Sequence, residues 1–158
     1  MSRRLEKVLR FYGQGFGLGR SEFMPGTWGT LPALPIAWLI QSNTTLAILG
    51  YILLMIVSYY AARSLGELLG DSDHKSIVCD EIIGILPALI ATPLTSWIIV
   101  FWVFRLFDIM KPWPIAWADS KVCGAIGCIL DDVLAGIFTL LFLLALNSLP
   151  LGLVVPLL

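Results

Sequence analysis

Ile82-Ile83-Gly84-Ile85-Leu86-Pro87-Ala88-Leu89-Ile90-Ala91-Thr92-Pro93-Leu94-Thr95-Ser96-Trp97-Ile98-Ile99-Val100-Phe101-Trp102-Val103-Phe104 is an uncharged run of 23 residues between Glu81 and Arg105. Read straight, it is one helix of about 35 Å, enough to cross the roughly 30 Å hydrocarbon core of a bilayer. Read as broken over residues 91–96, where Pro93 stands among Thr92, Thr95 and Ser96, it forms two arms of about ten residues each. The chain then returns to the side it came from. That choice sets the sidedness of everything else. In the broken form every Lys and Arg (Arg3, Arg4, Lys7, Arg10, Arg20, Arg63, Lys75, Arg105, Lys111, Lys121) lies on one side of the apolar layer, with all eleven carboxylates. In the straight form residues 105–132 emerge opposite and the acidic groups are separated. Basic residues mark the cytoplasmic side, and this favours the broken, re-entrant form. Arms that reach only half-way across must be surrounded by protein.

Two more uncharged runs flank this one, residues 23–62 (40 residues) and 133–158 (26 residues). The first is too long for one span and turns at Gln41-Ser42-Asn43-Thr44. It reads as a hairpin of helices over 30–41 and 45–63, with Thr30 as N-cap and Pro32 in the first turn. The last run predicts a helix over 133–146, with room to extend past Asn147 and Pro150. At the N-terminus Leu5, Val8, Leu9 and Tyr12 recur at i, i+3, i+4 and i+7 among four basic residues. That pattern over residues 1–12 suits an amphipathic helix lying on a membrane surface, the alternative being a frayed terminus.

Composition agrees. The chain of 158 residues is 58% apolar and 13% charged, with net charge −1, and its mean hydropathy is +0.90. Soluble domains are roughly 25% charged. These values exclude a disordered chain, a coiled coil and an electrostatic nucleic-acid binder. The fold expected is all-α: a single-domain polytopic membrane helical bundle over 1–158, with short or re-entrant helices and one charged cytoplasmic face. Nothing in the sequence sets an oligomeric state. Cys79, Cys123 and Cys128 are odd in number and form no C-x-x-C, so they read as ordinary thiols.

The remaining loops, 13–29, 64–81 and 108–132, hold the chemistry. Asp80, Glu81, Asp108, Asp131 and Asp132 sit at expected helix edges. An ionised carboxylate beside a bilayer is costly unless paired or metal-bound, and clustered oxygens with few histidines suit Mg²⁺ above Zn²⁺. The alternative is that acids preceding helices complement the dipole, which accounts for Asp80, Glu81, Asp131 and Asp132 but not for Asp108, expected at a helix C-terminus. Arg105 and Asp108 are i, i+3 neighbours, and Lys111 follows. The two cations suit a phosphate beside a metal, although Arg105–Asp108 also reads as a plain intrahelical pair.

Gly13, Gly15, Gly17 and Gly19, then Pro25-Gly26-Thr27-Trp28-Gly29-Thr30, lead into a helix. Such a loop presents backbone N–H groups to phosphate or makes a tight turn against headgroups. Trp28, Trp97, Trp113 and Trp117 fit an aromatic belt at the interface. A single histidine, His74, excludes a two-histidine phosphatase scheme, and no cysteine has an arginine six residues later. Asp71-Ser72-Asp73 mimics an aspartyl-nucleophile motif but follows no hydrophobic strand, and reads as a solvated turn.

Four blocks carry a family resemblance: Pro25-Gly26-Thr27-Trp28-Gly29-Thr30; Asp73-His74-Lys75-Ser76-Ile77-Val78-Cys79-Asp80-Glu81; Phe104-Arg105-Leu106-Phe107-Asp108-Ile109-Met110-Lys111-Pro112-Trp113-Pro114-Ile115; and Asp131-Asp132-Val133-Leu134-Ala135-Gly136. In this order they resemble the phosphatidylglycerophosphatase A family, over about three quarters of the chain. Thr30 stands where serine is expected and Cys79 where an aromatic or other apolar residue is usual. The resemblance implies a multi-pass protein of the bacterial inner membrane with its active-site loops facing the cytoplasm. It further implies Mg²⁺-dependent hydrolysis of phosphatidylglycerophosphate to phosphatidylglycerol and phosphate. Chemistry then suggests Glu81, Asp108, Asp131 and Asp132 as metal ligands and Asp80 or His74 as proton handlers. Arg105 and Lys111 would bind phosphate, with the backbone near Gly26 and Thr27. The competing expectation is a small divalent-cation carrier, since intramembrane carboxylates also mark ion pathways. Such carriers often contain internal repeats, and none is evident.

Overall fold

The computed structural model describes residues 3–148. Any continuation past Ser148, including Pro150, lies outside the described residues, as do Met1 and Ser2. The described chain folds into α-helices and short 3₁₀ turns: α1 (Arg3–Gly13), α2 (Pro25–Thr30), α3 (Ala33–Ile40), α4 (Thr44–Leu69), α5 (Cys79–Ile90), α6 (Trp97–Met110), α7 (Ile115–Lys121) and α8 (Ala125–Ser148). No strand is present among the described residues.

Two of these helices are long and apolar enough to cross a membrane, α4 and α8. In a soluble protein such helices would be sheathed by other elements. Here only 22% of the most apolar stretch of α4, and 39% of that of α8, is buried by protein. Leu46, Leu49, Ile52, Leu53 and Ile56 of α4 face outward uncovered, which in water would be an aggregation surface and in a bilayer is a lipid-facing wall. Asn43 accepts the Leu46 N–H at 3.0 Å as the N-cap of α4, which fixes the turn expected at residues 41–44.

The run at residues 82–104 is broken. α5 and α6 are separated by Ala91, Thr92, Pro93 and a 3₁₀ turn over Leu94–Ser96. At about 1.5 Å per residue the two arms are about 18 and 21 Å long, too short for a full crossing. They fold back on each other, because Arg105 at the end of α6 reaches Glu81 at the start of α5. The bend meets the backbone requirement of a low-dielectric setting from within. The buried Trp97 indole donates to the carbonyls of Leu89 (3.0 Å) and Thr92 (3.1 Å), and the fully buried Thr92 hydroxyl donates to Ala88 O at 2.8 Å. Trp97 is therefore a pin for the turn and does not belong to an aromatic belt. Trp28, Trp113 and Trp117 are exposed.

α5 is the axis of the bundle. Ile82, Ile83, Ile85, Leu86, Ala88 and Leu89 are all fully buried, and the helix packs against α2, α3, α4, α6 and α8. A helix enclosed on every side needs apolar residues all round, hence the absence of polar residues after Glu81. Its contact with α8 is backbone on backbone. A Cβ on Gly136 would lie 1.9 Å from Gly84 O, and one on Gly84 would lie 2.6 Å from Asp132 O. Small residues of this kind let membrane helices approach closely, and here they fix Asp132 against the first turns of α5.

Several boundaries differ from the sequence expectation. α4 continues through Arg63 and Glu67 to Leu69 and stops at Gly70, whose φ of 74° makes a left-handed cap. Thr30 is no N-cap. It ends α2 and donates to Gly26 O at 2.7 Å, while α3 begins after Pro32. α8 starts at Ala125, not Val133, so Asp131 and Asp132 lie inside a helix, two turns from its start. α1 forms but buries Leu9 and Tyr12 against the second half of α4, leaving Leu5 and Val8 exposed. Within the N-terminal loop, Gly15, Gly19 and Gly29 close on the Val78 side chain. These glycines make room for Val78 and do not form a phosphate cradle.

Candidate active site

Three loop regions and four helices converge on one polar cavity of 330 Å³. α2 contributes Gly26 and Thr27, the segment before α5 contributes Asp73, His74 and Lys75, and α5 contributes Asp80 and Glu81 in its first turn. The end of α6 supplies Arg105 and Asp108, the residue capping it is Lys111, and α8 supplies Asp131 and Asp132. Every residue singled out from the sequence as a site candidate thus lines the same space. Three of them arrive by routes that the sequence pattern did not show. Lys111 takes a left-handed conformation (φ 41°, ψ 57°) that ends α6 and turns its side chain back to the acids. Asp131 and Asp132 project from mid-helix, where the dipole cannot account for them.

The cations organise the acids. Arg105 Nη1 lies 3.0 Å from Glu81 Oε1 and 2.5 Å from Asp108 Oδ2, bridging α5 and α6. Lys111 Nζ lies 2.6 Å from Asp131 Oδ2 and 2.5 Å from Asp119 Oδ1, bridging α8 and α7. Asp119 is a residue that sequence reasoning missed. Its position in a charged stretch distinguishes it from a solvated acid only once α7 is folded. Asp73, which the sequence places in a solvated turn, also lines the cavity. Asp80 Oδ1 accepts the Glu81 N–H at 3.0 Å, and neither Asp80 nor Asp132 forms a salt bridge among the described residues.

Burial pushes the Asp80 carboxyl up from its ordinary range, against the backbone N–H groups that favour its ionised form and with the nearby acids adding to the rise. Burial would lower the Lys111 ammonium, but its hydrogen bonds and attraction to Asp119 and Asp131 outweigh this and hold it above its ordinary range. His74 Nδ1 accepts the Ser76 N–H at 3.2 Å and lies 2.8 Å from Ser76 Oγ, so the neutral ring carries its proton on Nε2.

Three polar atoms of this wall are buried without a partner: Arg105 Nε, Glu81 Oε2 and Asp131 Oδ1. Native proteins seldom leave such groups orphaned. One is a donor, suited to an anion, and two are carboxylate oxygens, suited to a cation. Gly26 is where the wall comes closest, since a Cβ there would sit 2.0 Å from Glu81 Oε1. Gly26 and Thr27 precede the first intrahelical bond of α2, Trp28 N–H to Met24 O at 3.2 Å, so their N–H groups are not used by the helix. No three acidic, histidine or cysteine side chains among the described residues form a ready-made metal cage. Hard oxygens with open positions nevertheless fit Mg²⁺, which keeps several waters and takes ligands from substrate phosphate.

Comparison with known proteins identifies the family. The family model described as phosphatidylglycerophosphatase A matches residues 11–147. The chain is 38% identical to phosphatidylglycerophosphatase A of Escherichia coli over 133 residues, covering 79% of this chain and 75% of that protein. It is 34% identical to phosphatidylglycerophosphatase A of Haemophilus influenzae over 138 residues, covering 84% and 85%. A putative phosphatidylinositol-3-phosphatase of Bacteroides thetaiotaomicron is 32% identical over 146 residues, covering 83% and 88%. No solved structure matches.

Proposed function

The chain belongs to the phosphatidylglycerophosphatase A family and is a phosphoric monoester hydrolase, and from that premise we propose that it hydrolyses phosphatidylglycerophosphate to phosphatidylglycerol and phosphate with Mg²⁺ as cofactor, as a step in phospholipid synthesis. The observation that carries this reading is the set of orphaned atoms around one cavity: a buried guanidinium N–H beside two carboxylate oxygens. An anion alone would meet the carboxylates, and a cation alone would meet Arg105 and Lys111. A phosphate with its cation satisfies both. The same argument, with the family, weighs against a cation carrier.

Glu81, Asp108, Asp131 and Asp132 are the residues that would hold Mg²⁺. When bound, the ion supplies Lewis-acid charge to the phosphoryl oxygens and lowers the pKa of a water. Arg105 and Lys111 offset the phosphate charge, Arg105 through the Nε–H that has no partner, and the N–H groups of Gly26 and Thr27 add neutral donors. When water attacks phosphorus, the phosphorus–oxygen bond to the glycerol breaks and the departing oxygen needs a proton. Asp80, buried on the cavity wall in the first turn of α5, is placed to give it, and His74 is the second candidate. Cleft and lipid meet naturally if the charged end of the bundle faces the cytoplasm at the bacterial inner membrane, because the phosphate then enters the cavity while its tails stay in the bilayer.

The test is phosphate release from phosphatidylglycerophosphate in detergent, with and without Mg²⁺, for the unaltered protein and for Asp108→Asn and Asp131→Asn. Both variants should lose Mg²⁺-dependent release while keeping their helical content and elution volume. Full activity in either would remove that residue from the metal set, and release that is indifferent to chelation would remove the metal. Phosphatidylinositol 3-phosphate, assayed beside it, measures headgroup preference.

A further inference from the structure

Beside the polar cavity a smaller hollow of 210 Å³ opens on the outer face of α6. Met24 and Thr27 form one wall, and Trp102, Leu106, Ile109 and Met110 form the other, with Arg105 among them. The α6 residues recur at three- and four-residue spacing and make one stripe. Apart from Thr27 and Arg105 the lining is apolar, and Trp102, Leu106, Ile109 and Met110 are more than half exposed. Met24 holds a left-handed conformation (φ 47°), the backbone geometry with which the chain enters α2.

The notch is continuous with the cavity. Met24, Thr27, Arg105 and Ile109 line both, and the Arg105 guanidinium pairs with Glu81 and Asp108 on the polar side. The molecule has a larger apolar groove of 450 Å³ between α4 and α8, lined by Met55, Ile56, Tyr60, Ile126, Leu130 and Val133 among others, but it shares no residue with the cavity. A chain lying there would have its phosphate elsewhere.

We propose that the notch between α2 and α6 seats the first part of an acyl chain of the substrate, so that the lipid enters sideways from the bilayer and its phosphomonoester passes Arg105 into the cavity. This rests on the phosphatase reading above. A diacyl lipid whose phosphate occupies a cavity walled by carboxylates and cations must leave its tails outside that wall. The notch is the apolar surface that begins where the polar wall ends. Hydrocarbon moving from lipid to this wall gains little, since lipid tails are as apolar as the side chains. The seat therefore orients the lipid and does not tether it, and blocking it lowers the efficiency of turnover on lipid only.

Leu106→Trp fills the notch and Ile126→Trp fills the other groove, and both positions are outward-facing. Each is assayed on a long-chain diacyl phosphatidylglycerophosphate in mixed micelles and on its deacylated headgroup, glycerophosphoglycerophosphate. Leu106→Trp should lower kcat/KM on the diacyl lipid about tenfold or more and leave the headgroup within about twofold, as expected when only substrate positioning changes. Ile126→Trp should change neither. Trp102→Ala, which widens the notch without adding bulk, should shift the same ratio and keeps the test independent of how Leu106→Trp folds. If the unaltered protein hydrolyses both substrates, then equal loss on both, loss on neither, or a selective loss in Ile126→Trp overturns the notch alone. An unaltered protein that hydrolyses neither substrate overturns the phosphatase reading and the notch with it.

Discussion

Gly136→Ala tests whether the site is set by the backbone contact of α5 and α8. The added Cβ would lie 1.9 Å from Gly84 O and 2.9 Å from Gly84 C, whereas ordinary contact begins near 3.4 Å. The shortfall of about 1.5 Å falls on main-chain atoms of the most enclosed helix, so no rotamer change relieves it. α8 must therefore slide or tilt away from α5, carrying Asp131 and Asp132, which lie about one turn before Gly136. Overpacking of this kind costs about 1–3 kcal/mol, tolerable in a bundle with this much buried surface. Activity should suffer more, since a misplacement of about 1 Å at a catalytic constellation costs on the order of 10²-fold. The measurements are kcat and KM for phosphate release from phosphatidylglycerophosphate, with thermal unfolding of the same detergent preparation. Ile137→Ala, one residue on and outward-facing, serves as control. A Gly136→Ala protein that keeps the unaltered kcat would refute the claim that this contact holds the two acid pairs in register.

Arg105→Met leaves Glu81 and Asp108 buried without their shared cation. A loss of about 3–5 kcal/mol is expected on unfolding titration, with activity abolished, and a stability change below about 1 kcal/mol would contradict the bridging role. Trp97→Phe leaves a smaller aromatic ring and strips the single indole N–H shared by Leu89 O and Thr92 O; about 1–3 kcal/mol should be lost, seen as a lower thermal midpoint. Lys111 has a raised pKa in the fold, so its pairs contribute fully below the unfolded value of about 10.4 and are lost only as pH rises through the higher folded value. Asp119→Asn weakens that hold, and the alkaline limb of the stability–pH curve should move to lower pH.

Much of this molecule was legible from charge placement. Glu81 and Arg105 bracket an apolar run with Pro93 near its middle, and a run that returns must bring those two residues together, as it does at 3.0 Å. Helix limits were less legible, because uncharged runs are not the same as helices. Arg63 and Glu67 continue α4, since a backbone ladder carries charged side chains as readily as apolar ones where they can face outward, and only Gly70 stops it. At the other end, Gly124 in a left-handed conformation (φ 77°) precedes α8 and allows it to start before the two aspartates. The glycines of the N-terminal loop were ambiguous because a cradle for phosphate and a groove for Val78 demand the same residue.

The sequence alone determined an apolar helical chain, its turns near residues 42 and 94, and the set of polar residues with reason to be functional. Those follow from transfer energetics and local backbone chemistry, which act over a few residues. Only the tertiary structure decided which cation holds which acid, that Asp119 belongs to the set, and that Asp131 and Asp132 stand inside a helix. Two of these pairings join residues 20 and 24 positions apart, Lys111 with Asp131 and Arg105 with Glu81. They depend on how closely α5 and α8 can approach, which Gly84 and Gly136 set through contacts that no local pattern encodes.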